Sequence, residues 1–214
     1  MTKRTFELKT ENNWSNTFYM LCFLTCFIAA AIVTQIYSGI SPTMDHSPLD
    51  YFTGGALWMA SAVSLIMATT YTHTLWKAMF WLAGCVALSL LAIDEFMGIH
   101  EATEMVVGDD DHSKVALWAC TPIALYLIHR VERATPAIAL IFAAGFLLQT
   151  TYIAVDVGDG DYFTLPFALT TLQWTEDICE LLFVSTYLFG FLMMISRETH
   201  SSKIPLVLTD RRID

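Results

Sequence analysis

Six apolar stretches, roughly 17–40, 51–72, 78–103, 115–129, 136–155 and 165–196, take up most of this 214-residue chain. No other feature limits its fold as strongly. About 20 helical residues, rising ~1.5 Å each, cross a hydrocarbon core of ~30 Å, and most of the six are long enough. The fourth is the shortest, with 15 residues between Lys114 and Arg130. In lipid a helix satisfies its own backbone within one segment, so each stretch is read as a helix. Composition agrees. Charged residues are 15% of the chain and hydrophobic ones 55%, whereas soluble domains carry about a quarter charged. One soluble core could not bury that apolar excess.

The expected fold class is all-α: a polytopic membrane bundle of six transmembrane helices. Residues 1–16 form an N-terminal segment, 17–196 the transmembrane domain and 197–214 a C-terminal tail. The polar start and the long first span do not fit a cleavable signal, so that span is expected to remain as an anchor. Pro136 and Pro166 suit the starts of the fifth and sixth helices. Five cysteines, Cys22, Cys26, Cys85, Cys120 and Cys179, form no Cys-x-x-Cys pair and read as small buried residues.

Orientation follows from the basic residues. With six spans, Lys3, Arg4, Lys9, Lys77, Arg130, Arg133, Arg197, Lys203, Arg211 and Arg212 fall on one side, and Lys114 alone on the other. A split of ten to one places both termini in the cytoplasm. The opposite side is acidic, with Asp45, Asp50, Asp109, Asp110, Asp111, Asp156, Asp159 and Asp161; most of these read as solvated loop residues. The net charge of −10 excludes a nucleic-acid partner.

Two segments break the apolar pattern. Helix 3 ends in Asp94, Glu95, His100, Glu101 and Glu104. Helix 6 carries Gln173, Glu176, Asp177 and Glu180. Ionisable groups in spans are costly and mark a functional site by default. At 3.6 residues per turn, Asp94, Met97, His100, Glu101 and Glu104 share a broad face, with Glu95 pointing elsewhere. Gln173, Glu176, Asp177 and Glu180 share an arc on helix 6. Asp94 lies 17 residues from Lys77, and Glu180 lies 17 residues from Arg197. Antiparallel helices bring the two carboxylates to one level, and Gln149 and Tyr152 of helix 5 reach the same layer. Only His100 and Lys114 are nearby cationic candidates. Buried carboxylates without counter-charge take up protons or bind a cation. Oxygen ligands with one His suit Fe, Mn or Zn, and all-oxygen sites suit Ca or Mg. The expected ligands are Asp94, His100, Glu101, Glu176 and Glu180, with Glu95, Glu104, Asp177, Gln149 and Gln173 as a second layer or alternatives.

The runs Asp94-Glu95-x4-His100-Glu101 and Glu176-Asp177-x2-Glu180 resemble motifs in a group of uncharacterised bacterial multi-pass membrane proteins. Those pair an Asp-Glu-x4-His-Glu helix with a later Glu-Glu-x2-Glu helix; Asp177 stands where the second Glu is usual. The resemblance implies a prokaryotic inner (plasma) membrane and supplies no activity.

Three functions fit. A metal-dependent membrane enzyme would use the carboxylate and His site near the outer face of helices 3 and 6. A proton- or cation-coupled transporter needs a polar path inward, for which Ser89, Ser185 and Tyr187 are the only obvious steps; the path is broken, which counts against a simple monomeric channel, and a pore lined by a homo-oligomer would escape that objection. An accessory or assembly subunit would carry no chemistry and would bind a membrane partner, with Gly54, Gly55, Ala83 and Gly84 allowing close helix contact.

Overall fold

The computed structural model describes residues 13–40, 47–99, 111–159 and 169–201. These form six helices: α1 (Asn13–Ser38), α2 (Pro48–Thr70), α3 (Leu75–Met97), α4 (Asp111–Glu132), α5 (Pro136–Asp159) and α6 (Leu169–Ser201). Five of the six are long and apolar enough to cross a membrane; α4, the helix of the shortest apolar stretch, is the exception. The fold is thus an all-α bundle, as the sequence predicts. Large apolar side chains such as Leu75, Leu90, Leu140 and Leu147 lie exposed. Such a surface suits a lipid solvent better than water.

The closest helix packings are α2 with α3 and α5 with α6, followed by α2 with α6. Small residues on α2 permit this. Gly54, Ala56, Ala60 and Ser64 are buried, and a Cβ at Gly54 would come within 3.1 Å of Phe96 and 3.2 Å of Glu95. Ser61 meets Ser89 at 2.7 Å and donates to the Cys85 carbonyl at 3.0 Å. Gly55 has nothing within 4 Å of the added atom, so it plays no part in this contact.

Helix ends follow local rules. Ser47 and Asp50 form a capping box at the start of α2, with the Ser47 amide donating to the Asp50 carboxylate at 2.7 Å. Pro48 occupies the first turn. Gln35 is 1% exposed. It bridges the end of α1 to α2, donating to the Ile40 carbonyl at 3.0 Å and accepting from the Leu49 amide at 3.3 Å. α3 stops at Met97. Gly98 follows at φ +56, and its amide donates to the Asp94 carbonyl at 2.8 Å.

Side-chain ties fix two ends of the bundle. At one end, Lys114 of α4 meets Asp156 of α5. At the other, Glu132 of α4 accepts from Tyr71 of α2 and from Trp81 of α3, the latter at 2.8 Å. Between the two ends runs a column of aromatic rings. Tyr187 packs on Phe142, Phe142 on Phe191 and Phe191 on Trp81, at centroid distances of 6.2, 5.7 and 5.9 Å. Two glycines make room for it. A Cβ on Gly145 would lie 2.6 Å from the Tyr187 ring, and one on Gly190 would lie 2.6 Å from Phe142.

Candidate functional site

At the Lys114 end the helices enclose a cavity of about 340 Å³. α3 contributes Leu91, Asp94 and Glu95, α4 contributes Lys114 and Leu117, α5 contributes Gln149, Tyr152 and Ile153, and α6 contributes Glu180 and Phe183. Its walls therefore alternate apolar and ionisable groups. α3 and α6 are not a closely packed pair; they face each other across this space. Asp94 and Glu180 line the same cavity, as the depth count from Lys77 and Arg197 predicts. Glu95 lines it too, although the helical wheel turned it away.

The floor is a hydrogen bond. Tyr187 on α6 donates to Gln149 on α5 at 2.9 Å. The aromatic column begins at that tyrosine. On the α4 side, Lys114 donates to one Asp156 oxygen at 3.0 Å. Trp118 donates to Thr150 at 3.0 Å and stacks on Phe146 at 6.0 Å.

The acidic residues of α6 divide between two neighbourhoods. Glu176 meets Asp156 of α5 carboxyl to carboxyl. Asp177 faces Asp50 of α2 and Glu95 of α3. Glu180 feels Glu95 most strongly, then Asp50. Successive residues on a helix are about 100° apart, so Glu176 turns to α5, while Asp177 and Glu180, three residues apart on one face, both come under Glu95 of α3 and Asp50 of α2. The Asp156 Oδ2 and Asp177 Oδ2 atoms are buried with no hydrogen-bond partner among the described residues.

This arrangement corrects the metal reading. Among the described residues, no three His, Cys, Asp or Glu side chains come together to hold an ion. Asp94, Glu176 and Glu180 therefore do not make the expected Fe, Mn or Zn site (or its Ca or Mg variants) among the described residues, and the metal-dependent reading built on that site loses its support. The physical reason is twofold. Glu176 is drawn to Asp156 of α5, apart from the Glu95 and Asp50 neighbourhood that Asp177 and Glu180 share, and α3 ends at Met97, before Gly98. His100, Glu101 and Glu104 lie outside the described residues. Gln173 is half-buried on α6 and is not part of the cavity lining.

Sequence reasoning missed three contributors. Asp50 and Asp156 were read as solvated loop acids; both sit on helices and join the carboxylate network. The Ser47-Pro-Leu-Asp50 capping signal was available for Asp50. Glu132 at the opposite end drew no attention, although it is an acid between Arg130 and Arg133 in a connection otherwise basic.

Residues 50–194 match a family described as a domain of unknown function, DUF8692. The chain belongs to this family. No curated protein and no solved structure matches it. The DUF8692 stretch holds every cavity-lining residue, the capping Asp50 and Glu132, while the whole of the first span precedes it and Arg197 follows it. Cavity and aromatic column are thus features of the family segment itself.

Proposed function

We propose that the protein is a proton-linked membrane carrier for small solutes bearing a positive charge. The carrying observation is a cavity of about 340 Å³ with carboxylates on two facing helices. Transporters place their solute sites in such a space between helices, within the bundle. Asp94, Glu95 and Glu180 supply negative charge, and Leu91, Leu117, Ile153 and Phe183 supply apolar wall. Carboxylates that exchange protons with solvent and also meet a cationic solute couple the two movements. The accessory-subunit reading leaves this cavity without an occupant.

A topology of six crossings fits this reading. α4 reaches both ends of the bundle, through Lys114 to Asp156 and through Glu132 to Tyr71. At ~1.5 Å per residue its 22 residues span about 33 Å, enough for a hydrocarbon core. With α4 counted, the basic residues fall ten to one, which puts both termini and the Glu132 end in the cytoplasm and the cavity toward the outside of a prokaryotic inner membrane.

The test is a flux assay. Proteoliposomes holding a pH-sensitive dye are offered tetraphenylphosphonium, ethidium or spermidine. Wild-type protein should move protons against at least one of these, and Glu180→Gln should slow that movement at least tenfold while folding normally. Proton movement equal to empty liposomes with every solute would end the carrier reading.

A further inference from the structure

We infer that α4 is a hinged wall of the cavity, pivoting at its Glu132 end and held shut at the other end by the Lys114–Asp156 ion pair. Three independent features of α4 carry this. The first is how unevenly it is seated. Its close helix packing is with α5 alone among the described residues. Its buried apolar side chains, Ile128 and Val131, both lie in the turns next to Glu132. Large apolar side chains are exposed along the whole helix, from Val115 and Leu117 to Tyr126 and Leu127, so the burial at Ile128 and Val131 is what sets the Glu132 end apart.

The second feature is the pivot. Glu132 is 4% exposed. Its carboxylate takes the Tyr71 hydroxyl, the Trp81 indole N–H at 2.8 Å and, at 3.8 Å, the Lys77 ammonium. Arg197 donates to the main-chain carbonyls of Glu132 at 2.8 Å and of Arg133 at 3.1 Å. Three helices thus grip the last residue of α4. Arg133 follows at φ 49, the one non-glycine residue at positive φ among those described. That backbone state is uncommon outside glycine, and rigid helices change direction at such element-terminal residues.

The third feature is the catch. Beside the cavity, α4 is tied to α5 by two polar contacts and one ring stack: Lys114 to Asp156 at 3.0 Å, Trp118 to Thr150 at 3.0 Å, and Trp118 on Phe146. Lys114 also lines the cavity. Ion pairs and single hydrogen bonds open and re-form far more easily than a packed apolar seam. α3, on the other side of the space, is not closely packed with α4. Release of the catch therefore swings the Lys114 end of α4 outward and widens the gap between α3 and α4.

The motion itself is inferred independently of the carrier reading; only its role in transport depends on it. Distances between paired spin labels, read by pulsed electron resonance in lipid nanodiscs, test the motion without any solute. One pair, Leu90→Cys with Val115→Cys, spans the cavity end. The other, Leu75→Cys with Arg130→Cys, spans the pivot end. Both are made with the native cysteines replaced. Lys114→Met and Asp156→Asn should each lengthen or broaden the cavity-end distance by about 5 Å, the scale of a one-turn helix shift, and leave the pivot-end distance unchanged. The charge-swapped double variant, Lys114→Asp with Asp156→Lys, should restore the original cavity-end distance. Unchanged cavity-end distances in both single variants would overturn the hinge, and so would equal movement of both pairs. A hinge that moves in a protein without flux would retire the carrier reading and leave the hinge standing.

Discussion

Gly145 and Glu132 are the single residues whose chemistry is most constrained. A methyl group on Gly145 would lie 2.6 Å from a Tyr187 ring carbon, well inside contact distance. The ring would have to leave its place on Phe142 and give up its hydrogen bond to Gln149. Overpacking of this kind costs about 1–3 kcal/mol, so Gly145→Ala should lower the thermal midpoint in detergent by several degrees. A midpoint equal to wild type would show that the ring has room the packing does not suggest. Glu132→Ala should be worse. It strands the Trp81 N–H, on a side chain 2% exposed, and removes the acceptor for Tyr71. Loss of a buried charged partner of this kind costs about 3–5 kcal/mol. Unfolding curves measured beside Trp81→Phe separate the stranded donor from the missing carboxylate, and a loss below that of Gly145→Ala would refute the pivot's energetic weight. These residues differ in how far the sequence reveals them. The cavity carboxylates Asp94 and Glu180 stand out because charge in an apolar run is conspicuous. Glu132 does not, because a charge among other charges reads as solvated, and only tertiary packing buries it. A glycine in a membrane helix signals close approach without saying which ring will fill the space.

Helices were legible where apolar length decides and less legible where an end decides. Five spans follow directly from composition and length. The sequence pattern carried helix 3 past Gly98 to His100 and Glu101, because the residues beyond look equally helical. One glycine at φ +56 ends it at Met97, and His100 and Glu101 lie outside the described residues. α4 is the converse case. Its apolar run is short, yet the helix extends through polar turns at both ends, and side-chain ties reach both ends of the bundle. A membrane crossing by α4 makes a definite topological prediction. Single cysteines at His73 and at Thr135 should react with a membrane-impermeant maleimide from one face of sealed vesicles, and one at Ile40 from the other. If Thr135 labels together with Ile40, α4 does not cross. At the start of α2, Ser47→Ala removes the hydroxyl that accepts from the Asp50 amide. The expected loss is about 1 kcal/mol, visible as a small drop in thermal midpoint.

Across the whole molecule, the two ends of the bundle do different jobs with the same six helices. Carboxylates and open space lie at one end, and a gripped acid and packed rings lie at the other. The 17 residues of α6 between Glu180 and Arg197 put the two regions about 25 Å apart. Distances beyond 7–10 Å with no shared partner give additive stability effects, within about 0.5 kcal/mol. Glu132 and Glu180 share none, but the column from Tyr187 through Phe142 and Phe191 to Trp81 links their surroundings. Packed rings hold a single arrangement as long as neither end moves, so the stability losses of Glu132→Ala and Glu180→Ala should add in the double variant. Flux should behave otherwise: a pivot and a cavity that serve one cycle make the double variant no slower than the worse single one. Chemical unfolding and the proteoliposome assay on the same four proteins decide it. Additive losses in both measurements would mean that the two ends share a fold and nothing more, and a coupling energy in stability above about 1 kcal/mol would mean that the ring column already ties them in the resting state.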